Sequence, residues 1–247
     1  MQKWVEGTVV DRKRWTERLF SLRVNAEISA FEAGQFAKLA LAVEGEMVAR
    51  PYSFVNAPGE RPHEFYYVLL PEGPLTQRLC RLESGDTVYL APRASGFLVL
   101  SEVPSGADLW LVASGTGVGP FLSILKTETP WQRFRRVVLV HAVRRADELA
   151  YGEVIERLLG EHAQQMRFVY FVSRDRKAGA LPGRIPAAIE DGRLEAAAGV
   201  TLSANASQVM ICGNPDMVAD TTEALKRRGM RKHRRREPGH ITVENYW

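Results

Sequence analysis

The segment Leu109-Trp-Leu-Val-Ala-Ser-Gly-Thr-Gly-Val-Gly-Pro-Phe-Leu-Ser-Ile-Leu125 decides the fold of this chain. Its first five residues are mostly apolar and predict a buried strand. Gly115, Gly117 and Gly119 predict a tight turn whose backbone can approach a ligand, and Pro120 suits the first turn of a helix. The free N–H groups and positive dipole of such a helix end favour an anion, typically a dinucleotide phosphate. Because the spacing is not the full G-x-G-x-x-G, a plain glycine-rich strand–helix turn is the alternative.

The composition excludes several classes of protein. The chain has 247 residues, of which 45% are hydrophobic, so one large domain or two ordinary ones can form a core. Its two cysteines, Cys80 and Cys212, are too few for a disulfide framework or an iron–sulfur cluster held by about four thiolates. We therefore expect no metal site. The sequence shows neither an apolar run of membrane-spanning length nor an N-terminal signal region, which predicts a cytoplasmic protein without a membrane partner.

Positive charge is concentrated near the C-terminus. The formal net charge is +4, and eight basic residues crowd into positions 226–236: Lys226, Arg227, Arg228, Arg231, Lys232, Arg234, Arg235 and Arg236. This basic run indicates an acidic partner or ligand, or an ordinary solvated face. A nucleic-acid-binding protein is a weaker alternative, because the run carries neither an aromatic platform nor a recognised reader module.

The periodicity of the sequence divides the chain in two. Strand patterns at 5–10, 15–24, 35–43, 64–70 and 87–91, with one short helix at 75–82, predict a barrel or sandwich. A linker rich in polar residues follows at 100–108. Strands at 109–113, 137–141, 167–172 and 208–212 then alternate with helices at 120–127, 146–159, 185–190 and 215–228. This alternation predicts a doubly wound parallel sheet with helices on both faces, whose ligands bind at the carboxyl ends of the strands.

Arginines follow two successive strands of the predicted sheet. Arg144 comes after the strand at 137–141, Arg174 after the strand at 167–172, and Arg184 lies nearby in sequence. Guanidinium groups bind phosphate through paired, charge-assisted hydrogen bonds. They favour a clamp for the 2′-phosphate of NADP, although each single arginine could be ordinary surface charge.

Three other features each leave two interpretations open. Arg50-Pro51-Tyr52-Ser53 could grip a phosphate and stack on a flat ring, or it could be a strand start with one exposed arginine. The Cys212 thiol could face a ligand at the sheet edge or be a small buried hydrophobe. The terminal Tyr246 and Trp247 could dock into the core or stack on a ligand.

Taken together in order, these motifs resemble the ferredoxin–NADP reductase superfamily. They are Arg50-Pro51-Tyr52-Ser53, Gly73-Pro74-Leu75-Thr76, Gly115-Thr-Gly-Val-Gly-Pro120 and Cys212-Gly-Asn-Pro215, followed by a C-terminal aromatic residue. The ending Gly239-His-Ile-Thr-Val-Glu-Asn-Tyr-Trp247 is similar to that of the bacterial ferredoxin/flavodoxin–NADP reductases. The resemblance implies a β + α/β two-domain fold. A six-stranded antiparallel FAD-binding barrel would occupy residues 1–101. A doubly wound NADP-binding domain would occupy 102–247, with its tail returning to the flavin.

The resemblance also implies roles for individual residues. The FAD-binding set is Arg50, Pro51, Tyr52, Ser53, Tyr66, Val68, Pro74, Leu75, Thr76, Thr116, Tyr246 and Trp247. The NADP-binding set is Gly115, Gly117, Val143, Arg144, Ser173, Arg174, Arg184, Asn214 and Asp216. The FAD pyrophosphate would lie on the helix opened by Pro74, Leu75 and Thr76, and the glycine turn would line the NADP phosphates.

Four residues are implied in catalysis. Ser53 and Cys212 would frame the reacting nicotinamide and flavin N5, and Glu244 matches a carboxylate implicated in proton supply. Tyr246 would cover the flavin where nicotinamide must bind and so act as a gate, while Trp247 would pack on the FAD adenine.

The implied activity is electron exchange between NADPH and a one-electron carrier, an acidic ferredoxin or flavodoxin, by a monomeric enzyme. A flavin reductase or an oxygenase reductase component of the same fold is the alternative. The arginine set and the Tyr-Trp ending argue against an NADH-preferring oxygenase partner.

Overall fold

The computed structural model describes residues 3–245 of the chain. The predictions for Tyr246 and Trp247 therefore lie outside the described residues. The described part contains an antiparallel six-stranded sheet followed by a parallel five-stranded sheet, which confirms the predicted fold class. Within residues 3–245, no helix combines the length and the apolar character needed to cross a membrane.

The first sheet is a barrel built from the N-terminal strands in the order β4-β3-β6-β1-β2-β5. The strands are β1 (Val5–Arg14), β2 (Leu19–Asn25), β3 (Phe36–Val43), β4 (Glu46–Ser53), β5 (His63–Val68) and β6 (Thr87–Leu90). The sheet closes because Phe54, just after β4, forms an antiparallel bridge with Phe65 of β5. Large apolar residues fill the interior, among them Leu22, Leu39 and Leu90.

Two details of the barrel differ from the sequence prediction. Strand β4 was expected at most as a strand start at Arg50, but it begins at Glu46 and the motif lies at its end. Its polar residues and Pro51 concealed it, and they are tolerated because residues 46–53 pair with β3 on one side only, the closing bridge coming after the strand. The helix predicted at 75–82 is shorter, α1 (Thr76–Leu79), because the next backbone bonds change to the tighter i→i+3 pattern, as in Arg81 N–H to Arg78 C=O.

The second sheet is parallel, in the order β11-β10-β7-β8-β9. Its strands are β7 (Asp108–Ser114), β8 (Arg136–Val143), β9 (Met166–Val172), β10 (Ser207–Gly213) and β11 (Ile241–Asn245). Helices α2 (Val118–Leu125), α3 (Thr129–Arg133) and α4 (Gly152–Glu161) follow β7 and β8. Helices α5 (Ile185–Glu190), α6 (Arg193–Ala198) and α7 (Pro215–Arg227) follow β9 and β10. Apolar residues of α2 and α4 cover one face of the sheet and those of α5, α6 and α7 cover the other, as predicted.

The single helix predicted at 146–159 is wrong. The chain forms a 3₁₀ turn at Ala146–Glu148, and α4 starts only at Gly152. Between them Tyr151 adopts a left-handed conformation with φ of 62°. Its buried side chain reaches Ser21 and Glu64 of the barrel, with oxygen–oxygen distances of 2.5 Å and 2.6 Å. These contacts with the barrel hold the residue that interrupts the helix. The sequence analysis also did not predict β11, α3 or α6.

Helix α2 holds the barrel against the parallel sheet. Leu122 and Phe121 belong to the same apolar cluster as Val55 and Tyr66 of the barrel. The Ser123 hydroxyl donates to the Asn56 carbonyl over 2.7 Å. Helix α2, which follows the glycine turn, is thus fixed to the barrel. The carboxyl end of β7, which leads into this helix, therefore lies next to the barrel.

Candidate active site

A cavity of about 360 Å³ lies where the barrel meets the turn after β7 and the end of β11. Its wall contains every described residue of the predicted FAD-binding set, and also Glu244. The complete lining is Phe36, Arg50, Pro51, Tyr52, Ser53, Tyr66, Tyr67, Val68, Leu70, Gly73, Pro74, Leu75, Thr76, Thr116, Glu244 and Asn245. The structure therefore brings together residues that are up to 209 positions apart in the sequence, from Phe36 to Asn245.

Aromatic rings form one wall of the cavity. Ring centroids of Tyr52 and Tyr67 lie 5.9 Å apart in an edge-on arrangement. Burial raises the pKa of the Tyr66 and Tyr67 hydroxyls, so both stay protonated and can donate. Both hydroxyls are buried, and neither has a hydrogen-bond partner within residues 3–245. Buried polar groups are normally satisfied, so this wall has donor capacity for a bound molecule.

The turn before α1 forms a second wall. The Leu70 N–H donates to the Thr76 hydroxyl over 3.1 Å, which closes the segment between them into a compact loop. A Cβ on Gly73 would lie 2.5 Å from that hydroxyl oxygen, so only glycine fits there. The loop presents Pro74 and Leu75 to the cavity.

The glycine turn lies at the junction between β7 and β10. It forms a 3₁₀ turn, Gly115–Gly117, that leads directly into α2, and Thr116 reaches the cavity. A Cβ on Gly117 would lie 2.4 Å from the Cys212 carbonyl oxygen. A Cβ on Gly213, whose φ is 140°, would lie 2.3 Å from the Ser114 Oγ. Close packing of two strand ends therefore requires these glycines, and the sheet order reverses at this place, where α/β proteins bind ligands.

His141 supports the glycine turn from below, and sequence analysis missed it. Its side chain is completely buried, and Nε2 lies 2.9 Å from the carbonyl oxygen of Gly115. Burial lowers the pKa of His141 to about 4. The neutral ring donates from Nε2 to this carbonyl oxygen. The bond holds Gly115 in its left-handed conformation, with φ of 53°. A histidine within an otherwise apolar strand, 26 residues after the turn, was the signal in the sequence.

The three predicted arginines lie at the same edge of the sheet. The Arg174 N–H donates to the Arg144 carbonyl over 2.8 Å, which joins the segments after β8 and β9. Just before them, the Ser173 N–H donates to the Val143 carbonyl over 3.1 Å. Arg184 precedes α5, on a segment that returns alongside β9. Within residues 3–245, none of the three arginine side chains has a hydrogen bond or ion pair, and all three residues are exposed.

Cys212 and Asn214 lie on either side of Gly213, at the end of β10. The Cys212 side chain is fully buried, and its strand position pairs with Ala113 and Glu244. The Asn214 side-chain oxygen accepts from the backbone N–H groups of Asp216 and Met217 over 3.0 Å and 3.3 Å. Asn214 is thus the predicted cap of α7.

Glu244 is the carboxylate of the cavity wall. It lies on β11, the strand that sequence analysis did not predict. Its Oε2 would be 3.3 Å from a Cβ on Gly96, so the barrel and the last strand nearly touch here. Burial raises the pKa of Glu244 to about 7, which lets the carboxyl exchange a proton near neutrality.

Comparison with known proteins agrees with this geometry. Residues 111–223 match the model of the oxidoreductase NAD-binding domain. The chain is 48% identical over 248 residues to the flavodoxin/ferredoxin–NADP reductase of Escherichia coli, covering 100% of both chains. The chain belongs to the flavodoxin/ferredoxin–NADP reductase family. A crystal structure of a ferredoxin NADP+ reductase from Neisseria gonorrhoeae with bound FAD and NADP superposes with a TM-score of 0.94. The two are 34% identical, and the match covers 100% of both chains.

More distant family members show the same relationship. The ferredoxin–NADP reductase of Pseudomonas aeruginosa is 32% identical, and the match covers 96% of this chain and 95% of that protein. The chain is therefore a two-sheet oxidoreductase of this family along its whole length.

Sequence analysis missed Phe36, Tyr67, Leu70 and Asn245 as parts of the cavity wall. Phe36 lies opposite Ser53 in the pairing of β3 with β4. Because the extent of β4 was not predicted, its register with β3 could not be used to find Phe36. Tyr67 follows Tyr66 directly, and both line the cavity although neighbouring strand residues point to opposite faces of a sheet.

Proposed function

We propose that this protein binds FAD in the cavity and NADPH at the adjoining sheet edge, and passes electrons from NADPH to a one-electron carrier. The observation that carries the proposal is the arrangement of two separate binding surfaces around one turn. The cavity includes Thr116 of the turn Gly115–Gly117, and Arg144 and Arg174 follow β8 and β9, the next strands of the sheet after β7. We assign residues 1–101 to the FAD-binding domain and 102–247 to the NADP-binding domain.

The cavity residues fit FAD. The Tyr66 and Tyr67 hydroxyls supply donors that lack a partner within residues 3–245. Tyr52 and Val68 offer flat apolar surface. Among residues 3–245 the Arg50 guanidinium bonds only its neighbouring Ala49 carbonyl, so it can pair with a phosphate. The loop of Pro74, Leu75 and Thr76 would hold the pyrophosphate.

The sheet edge fits NADPH. Arg144, Arg174 and Arg184 would bind the 2′-phosphate, and Val143, Ser173, Asn214 and Asp216 lie at the same strand ends as further contacts. Gly115 and Gly117 would let the cofactor approach the backbone closely. NADH lacks the 2′-phosphate, so the arginines select NADPH.

FAD, when bound, takes a hydride from NADPH and releases electrons one at a time. The protein supplies position and proton control. Ser53 and Cys212 would frame the site where nicotinamide meets the flavin ring. Glu244, whose pKa of about 7 lets it hold or release a proton, would serve as the proton source. We retain the proposals that Tyr246 covers the flavin as a gate and that Trp247 packs on the adenine.

The electron acceptor would be an acidic ferredoxin or flavodoxin, bound by a monomeric reductase in the cytoplasm. The relatives named above are reductases of these carriers. The basic run at 226–236 would attract such a carrier over a distance.

A visible spectrum followed by anaerobic titration tests the proposal. We expect flavin absorption bands that bleach with NADPH and, on a fresh sample, only poorly with NADH. Equal bleaching by both would discard the arginine clamp and favour a flavin or oxygenase reductase. A colourless protein that FAD cannot reconstitute would refute the proposed function.

A further inference from the structure

Two large hydrophobic side chains stand out on the surface of residues 3–245. Phe97 is 64% exposed and Met47 is 39% exposed. An isolated exposed hydrophobic residue needs no explanation, but Phe97 has three unusual neighbours.

The first neighbour is Arg235, whose guanidinium lies over the Phe97 ring. The guanidinium carbon of Arg235 lies 4.3 Å from the ring centroid. The same guanidinium forms an ion pair with Glu102, with Nε 3.0 Å from Oε1. The ring thus packs against the Arg235 guanidinium on one side and is otherwise mostly exposed to solvent.

The second neighbour is the cavity wall. Gly96 precedes Phe97 in the chain, and a Cβ on Gly96 would lie 3.1 Å from Phe36 and 3.3 Å from Glu244. Phe36 and Glu244 both line the cavity. Phe97 is therefore one residue away from the site proposed for FAD.

The third neighbour is a group of cations. The structure divides the basic run at 226–236 into two parts. At the end of α7, Lys226, Arg227 and Arg228 each pair with a carboxylate, those of Glu223, Glu190 and Glu195. For these three residues the structure therefore agrees with the second interpretation of the basic run, an ordinary solvated face.

The second part, residues 231–236, keeps an excess of positive charge. Arg234 pairs with Glu237 over 3.9 Å, and Arg235 pairs with Glu102. Within residues 3–245, Lys232 and Arg236 have no ion pair, and both are exposed. The loop joins α7 to β11. Its Arg235 lies against the Phe97 ring, and Arg234 and Arg236 are the chain neighbours of Arg235.

We propose that Phe97, Arg235 and the cations of 231–236, here called the Phe97 patch, form the docking surface for an acidic one-electron carrier protein. The proposal rests on the proposed function and adds the place at which the carrier binds. Aromatic and arginine side chains dominate the binding energy of protein interfaces, and a ring of cations speeds the approach of an acidic partner. The closeness of Phe97 to the cavity wall gives the electrons a short route to the carrier.

The two parts of the patch have different tasks. Lys232 and Arg236 accelerate association, so their effect depends on salt. Phe97 makes a desolvated contact and slows dissociation, so its effect does not depend on salt.

Steady-state kinetics with the FAD-loaded enzyme test the proposal. The probes are an acidic bacterial flavodoxin as carrier and the neutral quinone menadione as small acceptor. We expect Phe97→Ser to raise the KM for flavodoxin about 10-fold, with unchanged salt dependence and unchanged menadione reduction. Phe97→Trp should keep the KM within about 2-fold of the original, which distinguishes lost contact from faulty folding.

Met47→Ser is the matched control. Met47 lies six residues before Ser53 on β4, about 20 Å along the strand, and should not affect flavodoxin. The double variant Lys232→Ala/Arg236→Ala should flatten the salt dependence of flavodoxin reduction. The proposal is overturned if Phe97→Ser keeps the original KM for flavodoxin. It is also overturned if Met47→Ser raises that KM as much as Phe97→Ser does. An original enzyme that reduces menadione with NADPH but reduces no flavodoxin or ferredoxin would instead refute the carrier in the proposed function.

Discussion

Adding one methyl group to the glycine turn should damage NADPH use more than it damages FAD binding. In Gly117→Ala, the new Cβ would lie 2.4 Å from the Cys212 carbonyl oxygen and 2.9 Å from the Gly213 Cα. The backbone of Gly117 has φ of −62°, which alanine adopts without strain, so only the lack of space opposes the substitution. Both clashing groups are backbone atoms and cannot rotate away.

The size of the effect follows from the distance. Ordinary contacts of a Cβ begin at 3.4 Å, so the turn and the end of β10 must separate by about 1 Å. Overpacking of this kind costs about 1–3 kcal/mol. If the displacement falls on the nucleotide site, that free energy corresponds to a loss of about 5- to 150-fold in kcat/KM for NADPH.

Gly119→Ala provides a control within the same turn. Its Cβ would meet only Val55, at 3.4 Å, and the position is helical. Alanine is favoured over glycine in a helix by about 1 kcal/mol, so this variant should be as stable as the original or slightly more stable.

The assay is stopped-flow bleaching of the flavin by NADPH, together with FAD content and the melting temperature. We expect Gly117→Ala to retain FAD, melt at a lower temperature and bleach slowly, while Gly119→Ala behaves as the original. The reasoning is refuted if the flavin of Gly117→Ala is bleached by NADPH at the original rate. It is also refuted if the bleaching rate of Gly119→Ala falls as far as that of Gly117→Ala.

Three further predictions concern single side chains. Because burial raises the pKa of Glu244 to about 7 from an ordinary 4.5, its contribution to stability is full below that ordinary value and is lost as the pH rises through 7. The melting temperature of the original enzyme should therefore fall between pH 5 and 8 relative to Glu244→Gln, and parallel curves would contradict this. Arg144→Ala should lower kcat/KM for NADPH by about 10- to 150-fold, the value of a charge-assisted hydrogen bond, and leave NADH unchanged. Arg145→Ala is the control, since Arg145 pairs with a neighbouring aspartate, and an equal loss in both variants would reject the clamp. Tyr151→Phe removes the hydroxyl that donates to Glu64 over 2.6 Å. It should lower the free energy of unfolding in urea by about 1–3 kcal/mol, and no change would show that the contact is dispensable.

The fold could be predicted where local pattern and tertiary position agree. The five mostly apolar residues at 109–113 form the strand that their pattern predicts. Asn214-Pro215 begins a helix because the Asn214 side chain caps it within the same turn. The prediction failed where a distant partner decides the structure. Tyr151 interrupts a helical pattern because its hydroxyl binds Ser21 and Glu64, 130 and 87 residues away in the sequence.

The candidate site was predicted less from geometry than from the resemblance of ordered motifs. The motif at 50–53 and the turn at 73–76 were ambiguous one by one, and the structure brings both to one cavity. His141 could not be found in this way, because it belongs to no motif and acts by holding a backbone carbonyl. Residues that position a site from beneath carry no sequence signal beyond being polar in an apolar strand.

The glycine turn and the arginines differ in what they say about function. Gly117 and Gly213 are required by the packing of β7 against β10, and a chain with this sheet would need them whether or not it bound a nucleotide. The turn alone is therefore compatible with the structural alternative that the sequence left open. Arg144, Arg174 and Arg184 are different, because within residues 3–245 their side chains stabilise nothing that the structure shows. Water and salt screen the repulsion between exposed cations, and an anion bound between them would add an attraction to each. The proposal of a phosphate ligand therefore rests on the arginines, and the proposal of where it binds rests on the glycines.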